Sequence, residues 1–139
     1  MPPTSEEKRL DLSPEAILSV LKDISNPSLI GESPLAKTAV IDRILPQMDL
    51  KDSAPNRGLV LAMIVRDVIV NQQERTEGTE ESVPWDFLVL RYLAGRSLVS
   101  VSIKLSIGRR SLARIQQRAL GQLASALLPI VAPKPNYES

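Results

Sequence analysis

Apolar side chains recur every three or four positions along most of this chain. That period is the signature of amphipathic helices. Ala16, Ile17, Val20, Leu21 and Ile24 form one apolar stripe behind Ser13, Pro14 and Glu15, a sequence suited to cap and start a helix, and the spacing predicts a helix over 14–24 that stops at Asn26-Pro27. Ser33-Pro34 repeats the start signal, and Leu35, Val40, Ile41, Ile44 and Leu45 predict a second helix over 34–45, ended by Pro46. Leu29 and Ile30 sit in the connector between the two as core plugs, and 46–55 reads as a connector ordered by Met48 and Leu50. Residues 57–72 hold ten apolar side chains, several β-branched. A buried strand has that composition too. A central helix is preferred because the run exceeds an ordinary strand, nothing else in the chain could pair with it, and Arg66-Asp67 would interrupt a sheet core.

Two further patterns come after an acidic, aperiodic segment at 74–83, read as a linker. Pro84 opens a helix carrying Trp85, Leu88, Val89, Tyr92 and Leu93, with Gly95 as its terminating residue, and three of the chain's four aromatics gather there as a core staple. From Ser97 to Leu120 the chain reads as a short helix, a tight turn at Ser106-Ile107-Gly108 and a longer basic helix. Val101 and Leu105 are placed to pack against Ile107 and Leu112 and set the angle between the two helices. The expected fold is all-α with about six helices, a helical N-terminal bundle packed on a C-terminal helix-turn-helix. The expected divisions are 1–12 disordered, 13–73 an N-terminal subdomain, 74–83 a linker, 84–128 the helix-turn-helix subdomain and 129–139 an irregular, proline-bearing tail. The linker could equally be a long loop within one domain.

Charge sharpens this picture. The chain of 139 residues carries a net charge of +1, but from Met1 to Val83 nine Lys/Arg stand against fourteen Asp/Glu, whereas from Pro84 to Ser139 eight stand against two. A basic footprint confined to the helix-turn-helix is what phosphate binding requires. The acidic half could also dock on the basic half, within one chain or across a dimer. On the second helix of the pair, Arg110, Ala113, Arg114, Gln117 and Arg118 fall on one outward face. Arginine and glutamine make paired hydrogen bonds to base edges, and arginine binds phosphate. An arginine-rich face is also what an ordinary solvated helix surface looks like. Double-stranded DNA is the expected ligand, met by Arg109, Arg110, Arg114, Gln117 and Arg118, with Arg96 and Lys104 on flanking phosphates.

Composition narrows the chemistry. With no cysteine and no histidine, disulfides, thiolate metal sites, thiol catalysis and imidazole bases are all unavailable. Glu77, Glu80 and Glu81 read as solvation rather than as paired catalytic carboxylates. No enzyme activity, cofactor or metal is expected. No uncharged apolar run approaches a membrane span, and the polar N-terminus is unlike a secretory signal, so a bacterial cytoplasmic setting is expected.

The segment from Leu88 to Leu128 resembles the helix-turn-helix of LuxR-type regulators and of sigma-factor region 4. Arg91, Tyr92, Leu93, Gly95, Ser97, Val101, Leu105, Ile107, Arg110, Ala119 and Leu120 stand at matching places, and Ser111 takes the usual threonine place. Ser106 replaces the turn glycine, and Gly108 the capping Ser or Thr, which removes a side-chain cap. Over a longer span, NPSLIGESPLAKT, RGLVLAMIVRDVI and the Trp85 segment are similar to a module found ahead of ATPase domains in bacterial signalling proteins, or alone. No Walker sequence is present here. The resemblance implies a DNA-binding transcriptional regulator or regulatory module; the alternative is a non-catalytic protein adaptor reusing the same shape. A homodimer or protein partner would then engage the N-terminal part.

Overall fold

The computed structural model describes residues 11–132, and every regular element among them is helical. Seven α-helices succeed one another: α1 (Pro14–Lys22), α2 (Pro27–Ile30), α3 (Ala39–Gln47), α4 (Ala54–Thr76), α5 (Val83–Leu88), α6 (Leu98–Leu105) and α7 (Arg109–Val131). The all-α expectation holds, with one more helix than foreseen. None of these helices is long and apolar enough to cross a membrane.

Local signals account for the starts. The Ser13 hydroxyl accepts from the Ala16 amide at 3.2 Å and caps α1; Ser53 does the same for α4 through the Asn56 amide at 3.3 Å. The ends differ from expectation where packing overrides local rules. α1 closes at Lys22, two residues early, and Ile24 is buried from a turn instead. The Leu29-Ile30 connector is itself a short helix, α2. The helix expected over 34–45 is divided: Pro34–Lys37 is a 3₁₀ turn, and α3 starts only after Thr38, whose hydroxyl donates to the Leu35 carbonyl at 3.1 Å. Pro46 lies inside the last turn of α3 rather than beyond it. A proline there removes a single amide hydrogen bond, and the burial of Leu45 holds the turn in place.

α4 is the central helix, 23 residues long, so the strand alternative does not hold. Its crossing with α2 is a backbone-to-backbone contact. A Cβ added at Gly58 would lie 1.9 Å from the Pro27 carbonyl oxygen, and one added at Gly31 would lie 1.8 Å from that of Ala54. Arg57 locks the start of α4. Its guanidinium meets Asp42 at 2.6 Å and Asp52 at 2.7 Å, and donates to the Ala36 carbonyl at 2.9 Å. One side chain thereby ties the 3₁₀ turn, α3 and the connector to the central helix. Asp52 and then Asp42 hold the Arg57 guanidinium above its ordinary range, and Arg57 in turn holds the Asp52 carboxyl below its own. A depressed carboxyl stabilises the fold above its unfolded pKa and loses that contribution as pH falls through the folded value. Arg57→Met is therefore expected to lower the urea midpoint at pH 7, with the gap to wild type narrowing near pH 3.

The expected boundaries at 74–83 and 129–139 need correction. α4 runs on to Thr76, Glu80–Ser82 form a 3₁₀ turn, and α5 has already begun at Val83. The segment is pinned, since Asp86 accepts from Gln73 at 2.8 Å and from Ser82 at 3.2 Å. α7 passes through Pro129 to Val131, because Val131 reaches the core at 3% exposure and draws the helix on. Leu12, placed in the expected disordered arm, packs against the core. Residues 1–10 of that arm and 133–139 of the tail lie outside the described residues.

One continuous core gathers side chains from both expected subdomains. Ile17, Val20 and Leu21 of α1 and Val65 of α4 meet Leu123 and Leu127 of α7. The long last helix therefore belongs as much to the bundle as to the helix-turn-helix.

Candidate nucleic-acid interface

α5 ends in a π-helical turn, Val89–Leu93, closed by the Ala94 amide on the Val89 carbonyl at 2.7 Å. The chain then reverses at Gly95, whose φ of +71° is a conformation glycine adopts without strain. A π turn carries an extra residue and so rotates the next stretch of chain about the helix axis. The rotation brings Tyr92 towards α7, where its hydroxyl donates to the Gln116 carboxamide oxygen at 3.2 Å. Burial pushes that hydroxyl above its usual pKa, with Arg91 opposing, so it remains a donor. Arg91 donates to the Arg96 carbonyl at 2.9 Å, and its guanidinium lies 5.8 Å from the Tyr92 ring centre. Phe87 meets the same ring edge-on at 6.3 Å. Together these contacts fix the entry to α6.

Ser97 caps α6 through the Ser100 amide at 3.1 Å. Ser106 then takes a left-handed conformation at φ +58° and ψ +44°, the role a glycine would fill more cheaply. The Ile107 amide donates back to the Ser102 carbonyl at 3.0 Å, and the Ser102 hydroxyl donates to the Ile107 carbonyl. Val101 and Leu112 are buried, with Leu105 and Ile107 partly buried against the same core. These are the four residues expected to set the interhelical angle. Gly108 begins α7 in an extended conformation without a side-chain cap.

Along α7 the buried positions are Leu112, Ala119, Leu120, Leu123, Leu127 and Val131. The opposite face presents Arg110, Arg114 and Arg118, all exposed, in a row four residues apart. At 1.5 Å per residue the row is about 12 Å long. Among the described residues no carboxylate comes after Asp86, and every ion pair belongs to Arg57. Among the described residues, therefore, no acid neutralises the arginine row.

All seven residues singled out from the sequence are exposed, but they do not form one patch. Arg109 faces a groove of about 380 Å³ between α6 and α7, beside Leu98, Ala113 and Gln116. Gln117 and Arg118 border a second groove of about 620 Å³, whose far wall holds Gln72, Glu81 and Trp85. Arg96 stands on the loop before α6 and donates to the Ser100 hydroxyl at 3.2 Å; Lys104 stands in the last turn of α6. Sequence reasoning missed Gln116 as the partner of Tyr92, because nothing in the periodicity announces a π turn. The floor of the second groove includes Gly121, where an added Cβ would meet nothing within 4 Å. Glycine inside a helix weakens it, so Gly121→Ala is expected to stabilise the fold by about 0.5–1 kcal/mol, seen as a rise of a few degrees in Tm.

The geometry thus offers an exposed, positively charged helix face beside a short partner helix. Comparison of the chain with protein-family models, with curated proteins and with solved structures finds no match.

Proposed function

We propose that the protein is a non-enzymatic, DNA-binding regulator that lays the first half of α7 in the major groove of a duplex. The observation that carries this reading is the exposed Arg110, Arg114 and Arg118 row, unpaired with any carboxylate among the described residues. Arg110 and Arg114, in the first two turns of α7, would reach base edges or phosphates. Gln117 and Arg118 would contact the backbone further along, and Arg109 would meet a phosphate near the helix N-terminus, where the dipole adds attraction. Arg96 and Lys104, on the neighbouring loop and helix, would hold flanking phosphates. The resemblance to LuxR-type and sigma-factor region 4 helix-turn-helix units supports the same assignment, in a bacterial cytoplasmic setting.

The test is a mobility-shift assay of the whole chain on mixed genomic fragments at about 50 mM and about 200 mM salt. Binding carried by several phosphate contacts falls by a factor of roughly a thousand between those conditions. Absence of any shift at the lower salt would overturn the DNA reading and leave the protein-adaptor reading in its place.

A further inference from the structure

Two helices leave apolar side chains in water, and the two faces carry opposite charge. On the outer face of α4, Leu59, Met63 and Val70 are 39%, 39% and 38% exposed, in line with the exposed acids Asp67 and Glu74 and the half-buried Arg66. On α6, Leu98, Val99 and Ile103 are 41%, 50% and 73% exposed. That second face is bordered by Arg96 and Lys104, with no carboxylate anywhere from Phe87 to Ala132. Each face has an i, i+4 pair at its centre, Leu59 with Met63 and Val99 with Ile103, and such pairs are the ridges that interlock when helices pack. Both faces are open to solvent, so neither covers the other within one chain.

We infer that copies of this chain associate head to tail, the acidic–apolar face of α4 in one copy covering the basic–apolar face of α6 in the next. Charge complementarity selects this occupant. Duplex DNA offers phosphates to Arg96 and Lys104 but little aliphatic surface for Val99 and Ile103. A lipid surface is a poor match as well, since the apolar patch on α6 spans six residues and holds no aromatic side chain. The exposed acidic segment from Glu74 to Glu81 contains no apolar side chain, so the charge alone could not cover α6; the α4 face brings both. The two halves of the contact are different surfaces, which makes the interface heterologous. The inference does not rest on the DNA reading, and because Arg96 and Lys104 would serve in both contacts, a copy seated on α6 competes there with duplex phosphates.

The test is sedimentation of the full chain over a hundredfold range of concentration, without DNA. Wild type is expected to rise above the 15.3 kDa monomer mass as concentration increases. Ile103→Asp sets an acid against the acidic face, and Met63→Lys sets a cation against the basic face. Each is expected to weaken association at least tenfold and sediment as a monomer. An equimolar mixture of the two variants keeps one intact face of each kind and is expected to form a two-chain complex that grows no further. Far-ultraviolet circular dichroism checks that each variant is folded, with Val99→Asp and Val70→Lys replacing any that is not. A wild type that remains monomeric throughout, a variant that still assembles, or a mixture of folded variants that stays monomeric would each overturn the inference.

Discussion

Gly58→Ala is expected to cost about 3 kcal/mol or more, lowering Tm by roughly 10 °C in a thermal melt monitored by circular dichroism. The methyl group would arrive 1.9 Å from the Pro27 carbonyl oxygen and 2.9 Å from the Gly31 amide nitrogen, both backbone atoms that no rotamer change can move aside. Alanine's better helix propensity offsets at most about 1 kcal/mol of this. Relief requires α2 to move off α4, and that would loosen Ile30 from the core and disturb the neighbouring Arg57 cluster. Gly121→Ala is the same chemical change with the opposite expected sign, so the pair separates close approach from helix propensity. A Gly58→Ala protein melting within about 2 °C of wild type would show that the α2–α4 crossing is looser than these distances require.

Changing Arg110 and Arg114 together to alanine is expected to weaken duplex binding at least thirtyfold, since each guanidinium contact with DNA contributes about 1–3 kcal/mol. The slope of log affinity against log salt should become shallower by about 0.9 for each of the two that meets a phosphate. Neither side chain makes a hydrogen bond or ion pair within the described residues, and both are exposed, so Tm should stay within a few degrees of wild type. Stability and affinity thus separate cleanly. Lys37→Ala, an exposed cation in the acidic half, is the control and should leave binding unchanged. An affinity within twofold of wild type after the double change would remove α7 from the interface.

The elements and the candidate site were legible to different depths. The Ser13-Pro14 start acts within one turn, and the helix it predicts begins at the predicted residue. The apolar period of α7 located its buried face, and hence its exposed arginines, because a single helix is rigid enough for spacing to fix direction. Where several elements compete for the same volume, local rules failed. Pro46 and Pro129 sit inside helices because Leu45 and Val131 are worth burying, and the expected helix over 34–45 breaks at Thr38. The π turn after α5 left no periodic trace, and with it the Tyr92–Gln116 link stayed hidden.

By itself, then, the order of residues determined the all-helical class, the central apolar helix, the short helix and turn before Gly108, and the separation of acidic and basic halves. These depend on contacts within about one turn of helix, or on charge counted along the chain. Only the tertiary structure decided that Gly58 and Gly31 are pressed against backbone, that Arg57 joins three segments, and that both halves share one core. It alone decided, too, that α4 and α6 leave oppositely charged apolar faces uncovered. Those outcomes depend on which distant segments meet, and a pattern read along one helix carries no information about what lies across the gap.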